Sequence, residues 1–410
     1  MVIDQGRVQQ ISPDGEVPVL PGDWHVDCRG RALLPGRVDC HTHLVNGPLS
    51  PRSADALVQL PATRALLQYD LDAKLTAGEV EVLAAHAIAR ALRDGVTFVN
   101  EHLHCPGDVE GGLGAVARAG ELLGIRLVAS HATRDGATPG VAAAQVESNA
   151  RFVERYQAHS TVRGGIGFEA SYCVADALLE TVSKTRDRLH CTAHFHLGEN
   201  ELDLTVTYGR FGRRIVERLE EAGLLGLHAV GAYARVLDRT ESQTIASTQT
   251  LLALHARAEL LWEAGGGGFQ AVLGYPNQVG LGSGGQGSLH DEWLAALSGV
   301  VRLSRLGRLL DPDGLMVQLC FEGPVELASR VFGNASGVEV GAVADVVLYD
   351  AIPDCEGEAS VGTLWRVLEA PVAWTVVGGR VAVREGQLLG HDYLELAREA
   401  ARVLSLRGKP

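Results

Sequence analysis

Short apolar runs of strand-forming residues alternate with longer stretches of helical periodicity through the middle of this chain. That alternation restricts the fold more than any other feature. Strand-like runs fall at 38–43, 96–100, 125–131, 165–169, 190–196, 227–233, 250–255 and 279–283. Helical stretches follow, at 110–123, 142–158, 174–186, 210–222 and 290–306. Eight βα units in series predict an α/β fold, a (β/α)8 TIM-like barrel. A doubly wound open sheet is the alternative, disfavoured because no glycine-rich phosphate turn follows the first strand.

The two ends of the chain read differently. Gly6-Arg7-Val8, Pro13-Asp14-Gly15 and Asp27-Cys28-Arg29-Gly30 are short strands broken by turns, too few to close a sheet alone. Gly341–Asp350 reads as a strand entered through a turn, and Val372–Val383 as a hairpin around Gly378-Gly379. The expected organisation is a small composite β-sandwich domain from residues 1–34 and 336–390. It encloses a barrel over 35–335 and leaves 391–410 as a C-terminal helix or tail. The segment 44–75 has little strand pattern and is a candidate lid. Gly265–Gly268 reads as a loop.

A net charge of −14 with no Lys/Arg-rich run argues against nucleic-acid and anionic-membrane partners. The first residues lack the basic start and apolar core of a signal peptide, and no apolar run is long enough to span a bilayer. Seven scattered cysteines without a Cys-x-x-Cys pair point to reduced thiols and a cytoplasmic location.

In a barrel of this kind the chemistry sits at the C-terminal strand ends, and polar residues collect there. His41 and His43 end the first strand, at i and i+2 on one face, so both imidazoles can reach one metal ion. The second strand runs into Glu101, His102 and His104, the third ends at His131, and the fourth at Glu169. His194, His196 and Glu199 close the fifth, Tyr233 the sixth and His255 the seventh. The eighth ends in Gly282-Ser283-Gly284-Gly285, before His290 and Asp291. His194 lies two residues before His196 and faces the same side, deeper in the barrel. It is either a group behind the ligands or an ordinary core histidine.

The run Pro35-Gly36-Arg37-Val38-Asp39-Cys40-His41-Thr42-His43, the His196-x-x-Glu199 pair, the Gly341-x-x-Ala344-Asp345-x-Val347-x-x-Asp350 strand and the split β domain resemble the metal-dependent amidohydrolase superfamily. The likeness is to its aminohydrolase and chlorohydrolase branch, nearest to the SsnA aminohydrolase group. The resemblance implies a divalent ion held by the first-strand histidine pair, a fifth-strand His, a sixth-strand His and an eighth-strand Asp. The ion activates water, the Asp takes the water's proton, and the Glu after the fifth-strand His carries a proton to the leaving nitrogen.

His41, His43, His196 and Glu199 match that pattern. Tyr233 stands where the sixth-strand His belongs, Gly284 where the Asp belongs, and Glu169 where this branch often has a substrate-contacting His. Three readings follow. In the first, the site is rebuilt, with His41, His43, His196 and Glu169 around one divalent ion, zinc ahead of iron. Glu199, Glu169 and Tyr233 are then the catalytic groups, and His102, Tyr233 and His255 contact substrate. In the second, the metal site is lost and the protein is a non-hydrolytic metabolite-binding or regulatory relative. In the third, His290 or Asp291 enters the site. The leading expectation is a metal-dependent hydrolase that cleaves a C–N bond in a small molecule, by deamination of a heterocycle or amide/amidine hydrolysis. Family habit adds a homodimer.

Overall fold

The structure, a computed structural model, describes residues 1–13, 21–22, 24–45, 74–136, 140–262, 278–285, 287–334, 336–350 and 360–407. Most of the candidate lid (46–73), the Gly265–Gly268 loop and the Asp14-Gly15 turn lie outside the described residues.

Nine parallel strands in two arcs form the barrel wall. The first arc runs β4 (Arg37–Thr42), β5 (Val96–Leu103), β6 (Arg126–His131) and β7 (Val162–Gly164). The second runs β8 (Ile166–Ala170), β9 (Ala193–Leu197), β10 (Ala229–Tyr233), β11 (Leu251–Leu254) and β12 (Val279–Leu281). The arcs meet at two seams. A parallel bridge between Thr133 and Phe168 joins β6 to β8. At the other seam, Gly284 N donates to the carbonyl of His41 at 3.0 Å. The short β7 and β8 are one strand unit split around Gly165, so the expected eight βα units are present.

These strands are buried on both faces, which is why they read as near-continuous apolar runs. Outward-facing Phe168 and Phe195 stack with ring centroids 4.8 Å apart. Burying each such ring contributes about 1.5–3 kcal/mol. The helices are started by side-chain caps legible in the sequence. Thr76 and Glu79 form a capping box for Ala77–Arg93, and Ser288 and Asp291 form one for Leu289–Arg305. Of the expected helix at 210–222 the structure has Ile215–Glu221; before it, Gly212 in a left-handed conformation (φ 67°) ends a separate helix, Glu201–Phe211, that the sequence reading did not place.

Chain ends contribute a five-stranded antiparallel sheet ordered β16 (Gln387–Leu388), β15 (Arg380–Arg384), β14 (Val372–Val377), β13 (Val346–Tyr349) and β3 (Ala32–Pro35). A two-stranded ribbon, β1 (Val2–Asp4) and β2 (Arg7–Gln10), bridges to Val343 beside it. The hairpin turn is Gly378-Gly379, both at positive φ, which suits glycine. Asp345 fastens this unit to the barrel. It pairs with buried Arg126 of β6 at 2.6 Å and accepts from Gly378 N at 2.7 Å. The last helix, Tyr393–Arg407, lies against Ala77–Arg93, with Arg93 over the Tyr393 ring at 4.2 Å. Among the described residues, no helix is long and apolar enough to cross a membrane.

Candidate metal centre

His41 and His43 share a face because β4 is extended there. Their strand is tied into the barrel seam by Asp39, whose carboxylate accepts from Ser283 N at 2.9 Å and lies 3.4 Å from His41 N. Burial pushes the Asp39 carboxyl up to about 6 even against those bonds.

Around this pair the imidazoles are held by their far nitrogens. His43 Nδ1 is 2.6 Å from the carbonyl oxygen of His102, so it carries the proton and donates. His41 Nδ1 is 2.8 Å from His194 Nε2. His196 Nδ1 has Glu169 Oε1 at 3.1 Å and Glu199 Oε2 at 3.7 Å, ion-pair distances outside the directional geometry of a hydrogen bond. His102 Nδ1 stands 3.4 Å from His196 Nε2. One nitrogen from each of His41, His43, His102 and His196 therefore lies within 4.8 Å of the others, all four residues buried. Nε2 of His41 and Nε2 of His102 have no hydrogen-bond partner among the described residues. A buried His41 Nε2 left in this way, inside a cluster of imidazoles drawn from three strands, fits a divalent cation that accepts nitrogen lone pairs.

The protonation states agree with that fit. Burial, then mutual repulsion among the imidazoles, holds His41, His102, His194 and His255 well below the usual histidine range and brings His43 to about 4. These rings are neutral, as metal ligands must be. His196 differs. Burial pulls it down, but Glu169 and then Glu199 outweigh burial and leave it raised.

The opposite side of the mouth presents an aromatic pair. Tyr233 ends β10 at φ 84°, a region that a bulky residue rarely adopts. Its ring stacks on His255 (4.2 Å between centroids, 25°) and lies 5.1 Å from the His196 ring and 5.6 Å from that of His41. Gly284 sits against this pair. A Cβ there would stand 3.0 Å from His255 Cδ2 and 3.6 Å from Tyr233 Oη. The His255 imidazole thus crowds the space that a side chain at Gly284 would take.

A family model for amidohydrolases matches residues 32–285. The chain belongs to the amidohydrolase family. It is 25% identical to the 5'-deoxyadenosine deaminase of Methanothermobacter thermautotrophicus over 419 aligned residues, covering 99% of this chain and 94% of that one. It is 23% identical to the 5-methylthioadenosine/S-adenosylhomocysteine deaminase of Desulforudis audaxviator, covering 98% and 93%. Two solved structures share the fold. One is a zinc-bound adenosine deaminase from Xanthomonas campestris (TM-score 0.79, 20% identity, 92% of this chain and 86% of that one). The other is the zinc complex of atrazine chlorohydrolase from Arthrobacter aurescens (TM-score 0.82, 18% identity, 98% and 94%).

This amidohydrolase is accordingly a hydrolase of carbon–nitrogen bonds, with a small-molecule substrate and a divalent metal as its class of cofactor. Of the residues singled out in its sequence, His41, His43, His196, His102, Tyr233 and His255 converge at one strand-end mouth, and Glu199 reaches it through His196. His102, expected against substrate, stands inside the donor cluster. Glu169, expected as a fourth ligand or base, is not among those mutually close donors and faces the far nitrogen of His196. Other candidates point elsewhere. His131 Nε2 is bound to the carbonyl of Val109 at 3.0 Å, and Asp291 is held by the Ser288 cap.

Sequence reasoning missed two carboxylates. Asp39 was read only as part of a motif. Asp203 accepts from Gly198 N at 2.9 Å and lies near Glu199. Burial, then Glu199, raises it to about 7. Its signal was its place in the first turn of the helix Glu201–Phe211, four residues beyond Glu199.

Proposed function

We propose that this chain is a zinc-dependent aminohydrolase that deaminates an adenine nucleoside carrying a modified 5' position, or a close heterocyclic analogue. The observation that carries the reading is the cluster of four buried imidazoles with two carboxylates on the far side of His196. The relatives named for 5'-deoxyadenosine and 5-methylthioadenosine/S-adenosylhomocysteine supply the substrate class. We assign one ion to His41, His43 and His196, with His102 as the fourth nitrogen donor. Four imidazole nitrogens suit zinc ahead of iron.

Such an ion supplies Lewis-acid activation of water at neutral pH. The chain's own residues do the rest. Glu169 keeps His196 turned so that Nε2 faces the cluster. Glu199 moves a proton to the heterocycle and its departing amino group. Tyr233 and His255 form an aromatic wall for the heterocycle, and the Tyr233 hydroxyl is assigned to hydrogen-bond a ring atom. His255 occupies the side from which the family's carboxylate would act.

The test is elemental analysis of purified protein, followed by ammonia release from 5'-deoxyadenosine, methylthioadenosine and S-adenosylhomocysteine beside a panel of purines, pyrimidines and amidines. About one zinc per chain and turnover of an adenine nucleoside are expected. Protein without divalent metal, whose activity survives His41→Ala, sinks the proposal. The second reading, a non-hydrolytic metabolite-binding relative, draws on Gly284 and Tyr233 at the two altered positions and is selected by protein that holds no divalent metal and releases no ammonia from any of these substrates. The proposal places the enzyme in the cytoplasm as a homodimer, with no nucleic-acid or membrane partner. Its support is the net charge of −14 and the free thiols of Cys28, Cys40, Cys173, Cys191 and Cys320. The homodimer rests on family habit alone.

A further inference from the structure

We propose that His194 is a positioning residue for the metal centre: its neutral imidazole accepts the Nδ1 proton of His41 and thereby frees His41 Nε2 to bind the ion. The proposal rests on the metal reading above. It comes from counting protons across one short contact.

His41 Nδ1 and His194 Nε2 are 2.8 Å apart, and both rings are fully buried in the barrel. Two bare lone pairs do not approach that closely, so one proton lies between them. Two neutral imidazoles carry two protons on four nitrogens, which leaves two arrangements. In one, His194 Nε2–H donates to His41 Nδ1. The proton of His41 then sits on Nε2 and blocks metal binding. In the other, His41 Nδ1–H donates to His194 Nε2, and His194 keeps its own proton on Nδ1. Only the second leaves a lone pair on His41 Nε2, the nitrogen that lacks any hydrogen-bond partner among the described residues. His194 Nδ1 also lacks one, so neither outer nitrogen is committed before the ion arrives.

The three histidines whose far nitrogen faces a partner thus use three different ones. His43 uses the backbone carbonyl of His102, His196 uses the Glu169 carboxylate, and His41 uses a second imidazole. His194 reaches this place because it stands two residues before His196 on β9. The strand points both rings inward while Phe195 turns out to stack on Phe168. Its ring also packs 4.6 Å from that of His102, which keeps it from turning away from His41.

The experiment is a zinc titration against a competing chelator for wild type, His194→Gln and His194→Leu, with thermal unfolding of each. It is joined to long-range proton–nitrogen NMR of the zinc-loaded wild type. Leucine removes the acceptor, and zinc affinity is expected to fall about 10- to 100-fold. Glutamine offers an amide oxygen close to the position of Nε2, so affinity should stay within a few-fold of wild type. The spectrum should show Nδ1–H on both His41 and His194. Unchanged affinity in folded His194→Leu overturns the proposal. So does an Nε2–H signal on His194, which needs no variant and stands even if leucine prevents folding. Wild type that takes up no zinc removes the metal reading and this proposal together. Wild type that binds zinc but gives the wrong tautomer removes this proposal alone.

Discussion

The two sides of the barrel mouth are built by opposite means. On β4, β5 and β9, imidazoles crowd together, and their far nitrogens face a carbonyl, a carboxylate or another ring. On β10, β11 and the segment after β12, the groups that matter are an aromatic pair and a run of glycines pressed onto β4. A Cβ at Gly282 would stand 2.8 Å from the carbonyl of His41, so this seam has no room for a side chain. The comparison teaches where a metal site can change. Donors whose orientation depends on partners behind them lose function if either member goes. On the far side the ring pair and the closely approaching backbone leave no room for a further side chain at Gly282.

The largest expected effect is on the donor side. His196→Ala should remove metal and lower turnover at least about 10³-fold, some 4 kcal/mol of transition-state stabilisation, read as ammonia release together with metal content. Full activity in that variant would mean that the two sides have been assigned the wrong way round.

Glu169→Gln tests the partner behind a donor. It keeps the shape but removes the charge facing His196 Nδ1, and zinc affinity should fall about 10- to 100-fold. A chelator competition that shows no change would place Glu169 outside the centre.

On the other side, Gly284→Asp should not restore a family-like site. Its φ of 57° and the approach to His255 make the carboxylate destabilising by about 1–3 kcal/mol. Thermal unfolding measures this. The double variant with His255→Ala should recover part of it, since the nearest obstructing atom is then gone. A stable, more active Gly284→Asp single variant would erase the contrast between the two sides.

The smallest effect is a pH dependence of metal-free stability. Histidines held low, among them His43 and His131 at about 4, stay neutral in the folded chain while the unfolded chain takes up protons below about 6.5. Their contribution is present above pH 6.5 and is lost as pH falls toward 4. Asp39 and Asp203, raised to about 6 and about 7, act in the opposite sense, since the folded chain keeps their protons as pH falls. The histidines outnumber them, because His41, His102, His194 and His255 shift in the same direction. Stability should therefore drop on acidification below pH 6.5, by roughly 1.4 kcal/mol per pH unit for each net proton. Denaturant midpoints that rise between pH 6.5 and 5 would contradict this.

Much of the architecture was legible before any coordinates. The strand runs were found within three residues at either end because buried parallel strands are nearly continuous apolar runs. The break at Gly212 was not, because the flanking periodicity continues across it. Within the site, His41 and His43 were readable from their i and i+2 spacing, and His196 and Glu199 from their place at a strand end together with the family resemblance. The roles of His102 and Glu169 were not readable. Each depends on which nitrogen of a residue some 90 or 30 positions away it meets.

The sequence alone determined the alternating units, the split β unit at the chain ends and the inward pair at His41 and His43. All of these follow from periodicities of two or 3.6 residues along a local stretch. Only the tertiary structure decided that His194 pairs with His41 across 153 positions, that His102 joins the donors, and that His255 takes the space beside Gly284. Those contacts are made where strands distant in sequence close into a ring, and no local period encodes the register at which they close.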